Sequence, residues 1–200
     1  MVSIKHRYTG VEYVPVASYM VNYKDVFSLE NCYKLLHEWF IEKEYATRKD
    51  EEFPEKYFLQ KESRGSKELW IRWRLNRNPF PAKPGAKPFW RFDVDIDIHV
   101  LNLKDVEVVV QNQKFAANKG EIEINVAANL IIDASGEWEK SLLLKPFRKW
   151  YFDRAMRPQR NRLEKELYDE MYALRDAITN FFKIETFGAA GPFWPKRVPE

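Results

Sequence analysis

The stretch "RFDVDIDIHV", Arg91–Val100, sets Asp93, Asp95, Asp97 and His99 at every second position, with Phe92, Val94, Ile96, Ile98 and Val100 between them. Successive side chains of a β-strand point to opposite faces, so this rhythm of two predicts a strand with one dry and one polar side. Three carboxylates on one side are the geometric minimum for a cation site, and His99 could join them. The run before it, Glu68 to Asn76, offers a plainer partner. If the hairpin pairs position 74 with 93, Arg74 faces Asp93, Arg72 faces Asp95, and Trp70 sits near Asp97. Opposite charges across a ladder contribute roughly 0.2 to 1 kcal/mol each, which is cause enough for the pattern. The expectation is therefore a solvated outer face, with no metal ligand and no catalytic residue assigned to it.

Further strands flank this one. Lys56–Lys61 precedes Glu68–Asn76, and Asp105–Phe115 follows, with "NKG" at Asn118–Gly120 read as a turn. In Glu121–Asp133 the residues Ile122, Ile124, Val126, Ala128, Leu130 and Ile132 alternate with polar and small ones. Consecutive strands joined by turns predict an antiparallel meander. "NRNPFPAKPGAKPF" holds four prolines and cannot continue a ladder, so it is read as a long exposed turn. Tyr8 to Tyr23 is rich in β-formers but contains Gly10 and Pro15, which fits a bent edge strand.

Two segments change period. Leu29, Cys32, Tyr33, Leu36, Trp39, Phe40 and Lys43 recur at three-and-four spacing after Ser28, whose hydroxyl can cap a first helix from Leu29 to about Tyr45. Leu163, Leu167, Met171, Leu174, Ile178 and Phe181 form a second stripe on a helix from Pro158 to about Lys183. At about 1.5 Å per residue this helix is roughly 39 Å long. The fold class that follows is α+β: a meander sheet packed against a long C-terminal helix, with one N-terminal helix after the first strand. Residues 1–187 read as a single domain and 188–200 as an extended tail rich in Pro, Gly and aromatics.

The 200 residues carry 33 basic and 30 acidic side chains, so the formal charge of +3 does not by itself call for nucleic acid. Cys32, the single cysteine, leaves no intramolecular disulfide and no multi-thiolate zinc site. It falls on the apolar helix face, where an inert buried thiol is the plain reading. No run of 18 apolar residues and no apolar leader is visible, which predicts a soluble cytoplasmic chain. Phosphate loops, HExxH spacing and nucleophile elbows are lacking, so no enzyme activity and no cofactor are assigned.

Three surfaces stand out. Arg64–Arg91 is basic and aromatic and includes Lys83 and Lys87 in the proline-rich turn; Lys145–Arg162 holds Lys145, Arg148, Lys149 and Trp150; the tail holds Phe187, Phe193 and Trp194. Arginine and aromatic groups dominate protein interfaces, and they also grip phosphates and stack on unpaired bases. The leading expectation is a non-catalytic binding or assembly protein, a homo-oligomer or member of a complex, using the tail and the basic loop as contacts. RNA or a ribosome is an alternative partner, and a membrane interface is disfavoured.

The order of strand, helix, meander and long terminal helix, over about Tyr8 to Lys183, resembles the helix-grip arrangement of START and Bet v 1-like domains. That resemblance is of element order only. It implies a cavity for a lipid or other small apolar ligand, here between Leu163, Leu167, Met171, Leu174 and the dry side of Glu121–Asp133.

Overall fold

A computed structural model describes residues 12–49, 52–63, 65–80, 88–110, 113–141, 143–147 and 150–186. Five strands, β1 (Glu12–Phe27), β2 (Glu55–Ser63), β3 (Ser66–Arg77), β4 (Trp90–Val110) and β5 (Gln113–Ile132), form one antiparallel sheet in the order β1-β5-β4-β3-β2. β2 to β5 are thus a meander, and β1 returns to lie beside β5. Helix α1 (Leu29–Glu42) follows β1, a short turn of helix α2 (Glu137–Lys140) follows β5, and α3 (Arg157–Thr186) closes the described chain. The α+β class read from the sequence is the class observed.

The local causes are those of the sequence. Ser28 caps α1, its Oγ accepting from the Asn31 amide at 3.3 Å, and Cys32, Leu36 and Phe40 are the buried face. Pro15 lies in β1, an edge of the sheet, where a missing donor is tolerated. Pro158 occupies the first turn of α3.

The strands are longer than the sequence suggests. Arg91–Val100 and Asp105–Val110 belong to one strand, β4, and "NKG" lies inside β5 and is no turn. Asn102 takes a left-handed φ of 52°, and a Cβ on Gly120 would stand 2.9 Å from the Leu101 carbonyl oxygen. A residue that tolerates that conformation, set against a glycine that permits close approach, lets a ladder pass an irregularity which looks like a break in sequence.

The chain divides into two compact units, each described by itself: Met1–Ser18, Asn76–Val94 and Ala127–Met171; and Tyr19–Leu75, Asp95–Val126 and Tyr172–Glu200. In the first, Phe92, Val94, Leu130, Leu163, Leu167 and Met171 are buried. Arg77 reaches Glu166 and Glu170 of α3 at 3.1 and 2.9 Å. After β5 the chain folds back here. Asp133 accepts from the amides of Glu137 and Trp138 at the start of α2, Trp138 stacks on Tyr151, and Phe152 packs edge-on against Phe89.

In the second unit Trp73, Phe40, Leu36, Ile96, Ile124, Leu174 and Ile178 are buried. Phe182 of α3 stacks on Tyr23 at 4.6 Å and meets Phe27 edge-on. Burial pushes the Tyr19 hydroxyl pKa up, beside Tyr172.

The first half of the acidic row is not the solvated face that the alternation predicts, while Asp97 and His99 stay partly exposed. Asp93 is 0% and Asp95 2% exposed. Asp93 is held by Arg91 of its own strand, with Nε to Oδ1 at 2.7 Å and Nη2 to Oδ2 at 3.0 Å. Arg74 stands 3.6 Å from Asp95 and 2.7 Å from Asp97, and Trp70 stacks on His99 at 4.9 Å. Arg74 thus meets Asp95 and Asp97 where the expected pairing set it against Asp93, while Glu68 meets His99 at 2.9 Å. The guanidinium groups of Arg91 and Arg74 supply opposite charge to the row at ion-pair distance.

Candidate functional site

The candidate site begins at the start of β2. From Ser63 back to Tyr57 the ladder with β3 is regular, with Gln60 opposite Leu69, Phe58 opposite Ile71 and Tyr57 opposite Arg72. Continued, it would set Lys56 opposite Trp73. Instead the register shifts between Glu55 and Tyr57, and Glu55 is the partner of Trp73. A bulge of this kind adds one residue to one strand and re-aims the side chains beyond it. Its effect here is a change of parity: Glu55 joins Phe58 and Gln60 on the face that carries Leu69, Ile71 and Trp73, and Lys56 is left exposed.

That face of the second unit borders an open, groove-like cavity of about 730 Å³ between α1, β2 and β3, reaching Leu103 and Asp105 of β4 and Asn118 of β5. Aromatic rings make one wall. His37 stacks on Tyr33 and lies 4.3 Å from Phe53, and both Tyr33 and Phe53 meet the buried Trp73 edge-on at 5.1 and 4.8 Å. Leu69, Ile71 and Leu103 line the cavity from the strands.

The polar groups of the lining are ordered by one another. Lys34 donates to Glu30 at 2.6 Å across one helical turn, and Lys67 donates to Asp105 at 2.8 Å, which raises the Lys67 pKa. Asn118 donates to Asp105 and accepts from the Leu29 amide, tying β5 to the start of α1. Glu55 is fixed through a single oxygen: its Oε2 accepts from the Tyr33 hydroxyl at 3.2 Å and from Trp73 Nε1 at 3.0 Å.

The side chains singled out from sequence fall elsewhere. Leu163, Leu167, Met171 and Leu174 are buried on α3, and none of them lines this cavity. Trp150 is 60% exposed, as are Leu143 at 83% and Phe147 at 64% in the same short segment. The backbone of Lys145 opens the 3-10 turn Lys145–Phe147. Lys83, Lys87, Arg148, Lys149, Phe187, Phe193 and Trp194 lie outside the described residues. Cys32 is buried and forms no disulfide. His99 sits between Glu68 at 2.9 Å and Glu123 at 4.0 Å, and among the described residues no group of three or more His, Cys, Asp or Glu is placed to hold a metal ion. No helix among them is long and apolar enough to cross a membrane.

Sequence reasoning passed over Tyr33, His37, Phe53 and Glu55 because they come from a helix face, a loop and a strand end. The one available signal was the broken alternation at "FPEKYF", where Glu55 and Phe58 share a face only if a residue is extra. Comparison of the chain with protein-family models, with curated proteins and with solved structures finds no match.

Proposed function

We propose that the protein is a non-catalytic binding protein that holds a small, largely apolar molecule in the cavity beneath α1. The cavity carries this reading: its volume of about 730 Å³ lies within the range of roughly 300–1,000 Å³ typical of small-molecule sites, and an apolar lining with a few convergent polar groups is how such sites are built. The START and Bet v 1-like element order supports it as analogy, since helix-grip domains are ligand carriers, although the walls here come from α1, β2 and β3 and not from the stripe of α3.

A neutral fluorescent probe, N-phenyl-1-naphthylamine, tests the reading by titration. Saturable binding to the native protein is expected, reduced at least tenfold in Leu69→Trp and in Gln60→Trp, which fill the cavity from its floor and its rim. Gln60 is exposed, so that variant keeps its core. Equal binding by all three proteins, or none by the native one, overturns the proposal.

A second reading, assembly with a protein partner, is favoured by one observation. Leu143, Leu144, Phe147 and Trp150 are all exposed within a single short segment of the first unit, and clustered exposed apolar groups mark contact surfaces. Replacing Leu143, Phe147 and Trp150 together by serine should lower the mass of the native assembly seen by light scattering or remove a co-purifying partner. An unchanged mass and an unchanged set of co-purifying chains would end this reading.

A further inference from the structure

We infer that the molecule bound in this cavity carries an amine, and that Glu55 receives it. The inference rests on the cavity reading above and adds the chemical class of the ligand.

It follows from a count of charges around the wall. Five charged side chains line the cavity: Glu30, Lys34, Glu55, Lys67 and Asp105. Four of them cancel in pairs, Lys34 with Glu30 at 2.6 Å and Lys67 with Asp105 at 2.8 Å. Glu55 is the fifth. Among the described residues no lysine, arginine or histidine stands within ion-pair distance of it, and its two hydrogen-bond donors, a phenol and an indole, are neutral. Partly buried against an aromatic wall, a carboxylate with no counter-charge of its own attracts a cation more strongly than one in open water.

Geometry points the same way. Both donors converge on Oε2, and Oε1 keeps its acceptor capacity. A carboxylate held by one oxygen is oriented in advance for a donor at the other, as a binding residue needs to be. The rings of Tyr33, His37 and Phe53 beside it give an apolar body and a cation their usual neighbours. Finally, the bulge itself selects the sign. A regular ladder would present Lys56 at this position, and the shifted one presents Glu55.

Three probes of one shape separate the possibilities: 4-phenylbutylamine, 4-phenylbutanoate and n-butylbenzene, titrated at pH 7 against the full-length protein by ligand-observed NMR and calorimetry. The amine is expected to bind at least tenfold more tightly than either of the others. In Glu55→Gln, whose amide oxygen still accepts from Tyr33 and Trp73, the amine should fall to the affinity of n-butylbenzene, and n-butylbenzene itself should be unmoved. Binding of none of the three to the native protein overturns the cavity reading and this inference with it. Equal binding of all three, tighter binding of the carboxylate, or a Glu55→Gln protein that keeps the preference for the amine overturns the ligand class alone. Should Glu55→Gln fail to fold, the ranking of the three probes on the native protein decides.

Discussion

Two sets of carboxylates sit against the same sheet under opposite terms. On β4, Asp93, Asp95 and Asp97 are met by Arg91 and Arg74 at ion-pair distance. At the start of β2, Glu55 is met by a tyrosine and a tryptophan. Taking a carboxylate out of water costs several kcal/mol unless an opposite charge and hydrogen bonds return it. The Asp row has that return within the chain, and so its reason for existing ends with the fold. Glu55 does not. The contrast separates acids paired within the fold from one without a counter-charge in it; in the sequence the Asp row already reads as structural, and Glu55 goes unremarked.

The largest effect should come from breaking the matched set. Arg91→Ala leaves Asp93, fully buried, without its bidentate partner, and a loss of about 3 kcal/mol in unfolding free energy is expected, since Arg91 is itself partly exposed and the loss for a wholly buried pair runs at 3–5 kcal/mol. Urea denaturation reads it; a loss under about 1 kcal/mol would mean that the row is not held by its arginines.

Glu55→Gln should leave the unfolding free energy unchanged or slightly raised, a change within about 1 kcal/mol by the same measurement, because both hydrogen bonds at Oε2 can be kept and a charge without a counter-charge is removed. A loss as large as that of Arg91→Ala would place Glu55 among the structural acids.

The comparison sharpens further when the charges at the bulge are exchanged. Glu55→Lys together with Lys56→Glu conserves composition and net charge. If the shifted register decides which side chain meets the cavity, the exchanged protein should prefer 4-phenylbutanoate to 4-phenylbutylamine in calorimetry. An unaltered preference would show that position 55 does not set the sign.

The smallest effect belongs to a partly exposed acid at the surface. Glu121 accepts from Lys24 and Asn22, and these bonds hold its pKa below the ordinary 4.5. A folded pKa below the unfolded one gives stability that is present above the unfolded value and lost as pH falls through the folded one. An NMR titration should place the Glu121 midpoint below 4.5, and Lys24→Ala should move it upward; a midpoint that stays put would leave the lysine without influence.

Much of the fold was legible in the sequence, and for reasons that the fold then shows. Ile122 to Ile132 alternate because one side of β5 is dry, and Leu163 to Phe181 recur at three-and-four spacing because α3 buries one face. What escaped was set by pairing. Leu101–Lys104 and "NKG" look like two interruptions until Asn102 and Gly120 are placed opposite each other. The Asp row looks wet because alternation reports which residues share a side, not what covers that side. The cavity was not legible at all: its walls come from α1, a loop and four strands, and its acid is set by one extra residue in a ladder.

That extra residue bears on the outer rim of the sheet as well. β2 ends the strand order, so its far side offers unpaired amides and carbonyls to any neighbour, the usual template for accretion of further chains. A kinked start, followed by an outward-facing run with Lys56, Lys61 and Glu62 exposed, makes that template a poor one. The same irregularity that sets Glu55 on the pocket face also interrupts the regular edge that a further strand would need to pair with at the start of β2.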